Sequence, residues 1–117
     1  MAAERDLLTI RDLSRAEIEA LFETAAQFKA GNIRPSLMGK SVAFIFEKAS
    51  TRTRISFEVG VAQLGGHPVV LTPGSSQIAR GEPLKDTARI LSGYCDGIIM
   101  RTYGHERSAE LAHWADI

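Results

Sequence analysis

The segment Ser50-Thr51-Arg52-Thr53-Arg54 puts three hydroxyls and two guanidinium groups into five consecutive positions. It falls between a continuous apolar run, Ser41 to Phe46, and a stretch whose apolar residues recur at helical spacing from Ile55. A strand ending and a helix starting there would present several unpaired backbone N–H groups and the positive end of a helix dipole. Together these favour an anion. Hydroxyls add donors, and a guanidinium adds two parallel donors that match phosphate oxygens. The segment lacks the glycine spacing and terminal Lys-Ser/Thr of a nucleotide P-loop, so a small phosphate ligand fits it better than ATP. A plainer reading keeps Ser and Thr as helix caps and pairs both arginines with acids such as Glu47 and Glu58. Side-chain alternation also allows one arginine to face a site while the other is structural.

Arg101 stands directly after the apolar run Gly97-Ile98-Ile99-Met100. Alone it reads as an ordinary solvated arginine; opposite the Ser-Thr-Arg-Thr turn it becomes a second anion clamp. Gln77, in a polar loop, reads from composition as a solvated loop residue. His67, His105 and His113 lack partners at metal-ligand spacing and read as surface or capping residues. Cys95 has no base placed near it, so it reads as a small packed residue rather than a nucleophile.

The elements that must position these groups are legible from spacing. Ser14-Arg15-Ala16-Glu17 is a capping box, and Ile18, Leu21, Phe22, Ala25 and Phe28 follow as an apolar packing stripe, predicting a helix over 15–30 that stops at Gly31. Ser41 to Phe46 predicts a strand buried on both faces. A second helix carries Ile55, Phe57, Val61 and Leu64 on one face and stops at Gly65-Gly66. His67 to Leu71 is a second strand and Thr72 to Pro83 a loop. Leu84, Ala88, Leu91 and Tyr94 set a third helix, Gly97 to Met100 a third strand, and about 106–114 a final helix burying Leu111 and Trp114. The order is helix, then β-α-β-α-β-α. That alternation predicts an α/β domain in three layers, a parallel sheet with helices on both faces. In such sheets ligands bind beyond the carboxyl ends of the strands. The fold would therefore bring Glu47 to Arg54, Thr72 to Glu82 and Arg101 to one rim.

Bulk composition narrows the classes without choosing the chemistry. The 117 residues carry 14 basic and 14 acidic side chains, so no broad basic face for nucleic acid is expected. Hydrophobic residues at 44% and charged residues at 24% rule against a disordered chain. No apolar run approaches the length of a membrane span, the start lacks the pattern of a secretory leader, and one cysteine cannot form an internal disulfide. A cytoplasmic globular domain without membrane contact is the expectation, and no Cys/His cluster suggests a metal.

The run Phe46-Glu47-Lys48-Ala49-Ser50-Thr51-Arg52-Thr53-Arg54-Ile55-Ser56-Phe57-Glu58 resembles the carbamoyl-phosphate signature of the aspartate and ornithine carbamoyltransferases. Leu64-Gly65-Gly66-His67 and Gly81 to Arg89 extend the resemblance, which runs from about Leu7 onward. Ser76-Gln77-Ile78-Ala79-Arg80-Gly81-Glu82 resembles the ornithine branch. The resemblance implies that Ser50, Thr51, Arg52 and Thr53 hold the phosphate of carbamoyl phosphate. It implies that Arg101 touches phosphate and carbonyl oxygen, and that Gln77 reaches a neighbouring subunit's site in a homotrimer. Arg101, Thr53 and Arg52 would then be the catalytic groups. Glu47 resembles an acid that orients nearby arginines, and Arg54 looks structural. In the implied reaction the δ-amino group of L-ornithine attacks the carbamoyl carbon and phosphate leaves, giving citrulline for arginine biosynthesis, without cofactor or metal.

Family enzymes are longer and carry a second, amino-acid-binding domain. Their His-Pro-x-x motif, shortly after a fourth strand, has no counterpart here, and the sequence reaches Ala115-Asp116-Ile117 where that strand would begin. The 117 residues are therefore expected to be a carbamoyl-phosphate-binding domain with three strands and a fourth cut short, inactive alone or nearly so. A non-catalytic anion-binding or trimer-forming scaffold, and a carbamoyltransferase with putrescine or aspartate as acceptor, are the alternatives.

Overall fold

The computed structural model describes residues 5–71 and 83–117; the loop expected over Thr72 to Pro83, with Gln77, lies outside them except for Pro83. The chain divides into two compact units, Met1–Arg34 and Pro35–Ile117.

In the first unit a 3-10 turn, Ile10–Asp12, precedes helix α1, Arg15–Lys29. The capping box forms: Glu17 N–H donates to Ser14 Oγ at 3.1 Å and Ser14 N–H to Glu17 Oε1 at 2.9 Å. Arg5 also donates to Glu17, at 2.5 Å. That hydrogen bond, with those from Ser14, lowers the Glu17 carboxyl to about 2. Gly31 ends the helix at φ 93°, a left-handed conformation that suits glycine. The expected packing stripe is not buried: Leu21 is 54% and Phe22 70% exposed, and α1 holds no buried residue.

The second unit is the layered α/β structure. Its elements are β1 (Ser41–Phe46), α2 (Thr51–Gln63), β2 (His67–Leu71), α3 (Leu84–Tyr94), β3 (Gly97–Arg101) and α4 (His105–Trp114). The sheet is parallel in the order β2-β1-β3, and β1 in the middle is buried from Val42 to Phe46. Alternate residues of β1 feed two cores, as the period of two requires. Val42, Phe44 and Phe46 pack with Val61 of α2 on one face. Ala43 and Ile45 pack with Leu84, Ala88 and Leu91 of α3, Cys95, and Leu111 of α4 on the other.

Two helical faces differ from expectation. Of the α2 residues only Val61 is buried; Ile55 is 54% and Phe57 43% exposed. Positions 55 and 57 lie about 200° apart around a helix, so one stripe cannot hold both. In α3, Leu84, Ala88 and Leu91 are buried as expected, but Tyr94 is 84% exposed, and Cys95 occupies the next position on the stripe. Burial raises the Cys95 thiol above its ordinary value, with Asp96 adding to it, which suits a packed and unreactive residue.

Candidate functional site

Where β1 ends, the chain turns into α2 on one face of the sheet. Where neighbouring β3 ends, it turns into α4 on the opposite face. The crevice between two such diverging loops is the place where open α/β sheets bind ligands. The register closes this edge tightly. Phe46 pairs with Arg101, and Arg101 O accepts from the N–H of Glu47 at 2.9 Å and of Lys48 at 3.4 Å. A cavity of about 330 Å³ opens here, walled by Phe46, Glu47, Ala49, Ser50, Thr51, Arg54 and Tyr103.

Helix α2 begins at Thr51, four residues ahead of its first apolar residue, so Thr51 to Arg54 form its first turn. Ser50 is the N-cap residue, with extended backbone, yet its side chain makes no cap to the backbone. Its hydroxyl instead donates to Thr53 Oγ1 at 2.9 Å. These two hydroxyls are thus ordered against each other, and Ser50 leaves the first N–H groups of the helix without a side-chain cap. Ser50 and Thr51 line the cavity.

The arginines separate by role. Arg54 Nε donates to Glu58 at 3.3 Å, one helical turn away, while its side chain also contributes to the cavity wall. Arg52 is exposed, forms no ion pair with a described residue, and is not among the lining residues. Arg101 is the last residue of β3 and half-buried, and its Nε is buried with no hydrogen-bond partner among the described residues. A buried, unpaired guanidinium N–H is costly, on the order of 1–3 kcal/mol. Arg101 lies outside the lining set, so the structure places it one strand over from the Ser50–Thr51 wall.

Three residues of this edge were not among the sequence candidates: Thr102, Tyr103 and Arg107. Glu47, which lines the cavity, accepts from Arg107 Nε at 2.7 Å and Thr102 Oγ1 at 2.6 Å through Oε1, and from Arg107 Nη2 at 2.5 Å through Oε2. Tyr103 is 80% exposed at the cavity mouth, with Lys48 Nζ 5.6 Å from its ring centre. All three come soon after β3, so chain order alone puts them near the rim where Arg101 stands, whereas their contacts with residues 47 and 48 depend on the register of β1 and β3.

The hydrogen bonds from Arg107 hold the Glu47 carboxyl below its ordinary value, against partial burial and aided by Thr102. A carboxylate lowered in the folded state contributes stability that is complete above its ordinary value, about 4.3, and lost as pH falls through the folded value. A ¹³C titration of the Glu47 carboxyl should place its midpoint below that of a free glutamate. A midpoint at or above the ordinary value contradicts the paired geometry.

Among the described residues no group of three or more His, Cys, Asp or Glu could hold a metal, and no helix is long and apolar enough to cross a membrane. His67, His105 and His113 are exposed.

Residues 5–117 match the family model described as aspartate/ornithine carbamoyltransferase, carbamoyl-P binding domain. The ornithine carbamoyltransferase of Bacillus subtilis is 52% identical over 113 residues, covering 97% of this chain and 35% of that relative. That of Carboxydothermus hydrogenoformans is 50% identical over 117 residues, covering 97% of this chain and 38% of the relative. The chain thus spans little more than a third of their length. Among solved structures, the anabolic ornithine carbamoyltransferase from Campylobacter jejuni superposes with a TM-score of 0.89 at 40% identity, covering 97% of this chain and 37% of that one. The aspartate transcarbamoylase from Trypanosoma cruzi, in complex with carbamoyl phosphate and aspartate, gives 0.85 at 31%, covering 96% and 36%. A Ser-Thr-Arg-Thr-Arg turn at the switch edge of a parallel sheet, and sequence similarity over nearly the whole chain, agree: the chain belongs to the aspartate/ornithine carbamoyltransferase family and corresponds to its carbamoyl-phosphate-binding domain.

Proposed function

We propose that this chain supplies the carbamoyl-phosphate half of an ornithine carbamoyltransferase site, and that its amino-acid-binding domain lies outside these 117 residues. The observation that carries the reading is the buried Arg101 Nε without a partner among the described residues, one strand from the uncapped start of α2. Ser50, Thr51, Arg52 and Thr53 hold the phosphoryl group through helix N-terminal N–H groups, hydroxyls and a guanidinium. Arg101 donates to the phosphate and to the carbamoyl oxygen. Gln77 joins the site of a neighbouring subunit in a homotrimer.

In the reaction the δ-amino nitrogen of L-ornithine forms a bond to the carbamoyl carbon and loses a proton. The bond from that carbon to the phosphate oxygen breaks, and its electron pair leaves with phosphate. Negative charge gathers on the carbonyl oxygen and then on the leaving phosphate, and fixed donors at both places lower the barrier. Citrulline made this way serves arginine biosynthesis, and the protein works in the cytoplasm. Ornithine is favoured over aspartate as acceptor because curated relatives at 48 to 52% identity are named ornithine carbamoyltransferase, and because solved ornithine carbamoyltransferases stand at 34 to 46% against 31 to 32% for the aspartate transcarbamoylase structures.

The test is a titration of the chain with inorganic phosphate and with carbamoyl phosphate, followed by ³¹P NMR or calorimetry. Saturable binding that weakens about tenfold in Arg52→Ala is expected, the loss of one charge-assisted contact in an exposed setting. Binding of equal strength in the variant would remove Arg52 from the site. Citrulline production by the chain alone would refute the division of the site between two domains.

A further inference from the structure

A site for a phosphate dianion should not contain a free carboxylate, yet Glu47 forms part of the cavity wall. Its side chain is 18% exposed, and all its recorded partners are donors: Arg107 takes both oxygens in a two-pronged pair, and Thr102 adds a hydroxyl to one. Arg107 belongs to α4, 60 positions along the chain and on the other side of the diverging loops. Its own field is acidic, because Glu106 and Glu110 lie near enough on the same helix to favour its charge. The guanidinium is charged at any working pH, and its bidentate contact cancels the Glu47 charge.

We infer that Arg107 is a positioning residue for anion binding, which keeps the Glu47 carboxylate clamped and electrically neutralised so that the cavity can accept phosphate. Arg107 does not line the cavity and acts only through Glu47. Released from the clamp, Glu47 would repel the dianion directly. It would also be free to turn to Arg54, a cation of the same wall. Either course weakens phosphate binding, since a like charge facing the dianion, or a cation drawn away from it, lowers the attraction at a partly buried site. The inference rests on the anion-site reading above.

The two partners make opposite predictions, which separates this role from simple scaffolding. Phosphate affinity is measured by ³¹P NMR at pH 8 for the wild-type chain, Arg107→Gln, Glu47→Gln and the double variant, with thermal unfolding recorded in parallel. Arg107→Gln is expected to weaken binding about tenfold. Glu47→Gln removes the negative charge and leaves Arg107 near the site, so binding should hold or strengthen. The double variant should return to within about threefold of wild type. If Glu47→Gln weakens binding as Arg107→Gln does, and the double variant is no better than either, the clamp only holds the loops together and the inference falls. The sign for Glu47→Gln decides the matter even where Arg107→Gln fails to fold. A wild-type chain that binds no phosphate overturns the anion-site reading itself, a result distinct from a failed cycle.

Discussion

Replacing Arg101 by Ala is expected to weaken phosphate binding about 100-fold or more, and to leave global stability within about 1 kcal/mol of wild type. These two effects have one cause. The Arg101 Nε is buried and unpaired among the described residues, so it contributes nothing to the folded state in the absence of ligand and carries a desolvation cost there. A ligand oxygen that meets it gains a charge-assisted hydrogen bond whose desolvation cost is already incurred. Loss of that donor forfeits the bond, while the fold loses only the packing of the aliphatic stem. Arg101→Lys should recover little, because an ammonium cannot reproduce a planar pair of donors. Calorimetry for binding and urea unfolding for stability check the result together. A variant that binds phosphate normally, or one that unfolds as readily as a core truncation, would show that Arg101 is a structural residue.

The opposite profile is expected for Phe44→Ala. Phe44 is fully buried in the central strand, with ring centres of Phe46 at 5.9 Å and Phe57 at 6.2 Å. Truncation of such a ring leaves a cavity that the two sheet neighbours of β1 and helix α2 cannot collapse to fill. The loss is expected to be about 3–5 kcal/mol, a large part of the stability of any domain this size. Urea unfolding should show a midpoint shifted down at nearly constant slope. A loss below about 1 kcal/mol would mean that the sheet's α2 face is not a packed core.

These two residues also mark what the sequence could and could not disclose. The run Ser41 to Phe46 declared a doubly buried strand because every position is apolar or small, and the structure buries Val42 to Phe46. The alternation of strands and helices was enough to call a parallel sheet. Helix faces were harder. Apolar residues on α2 and the Leu21–Phe22 pair of α1 show that a surface is apolar, not that anything covers it, and both are largely exposed. Spacing from Leu91 admits either Tyr94 or Cys95 as the next stripe residue, three or four positions on and about 100° apart, and the structure buries Cys95.

At the site, local chemistry was legible and long-range pairing was not. Residue types alone suggest an anion-binding turn at Ser50 to Arg54, and the structure puts that segment at the start of α2. That Arg54 would pair with Glu58 follows from helical spacing, and it does. That Glu47 would pair with Arg107 could not be read, since their 60-residue separation closes only once β1 and β3 lie side by side in one register. The resemblance assigned Glu47 to arginines without saying which.

The cavity is built from materials of unequal permanence. Its floor is Phe46, 5% exposed and tied into the α2 core, so any change there reaches the fold. Its exposed side is Tyr103, a ring 80% exposed, with the Lys48 Nζ 5.6 Å from the ring centre though Lys48 itself does not line the cavity. Surface positions of that kind tolerate substitution at little thermodynamic cost. A library randomised at 48 and 103 should therefore yield mostly folded variants that differ in which anion they admit. Selectivity at the exposed side can then be altered without touching the fold that the floor supports.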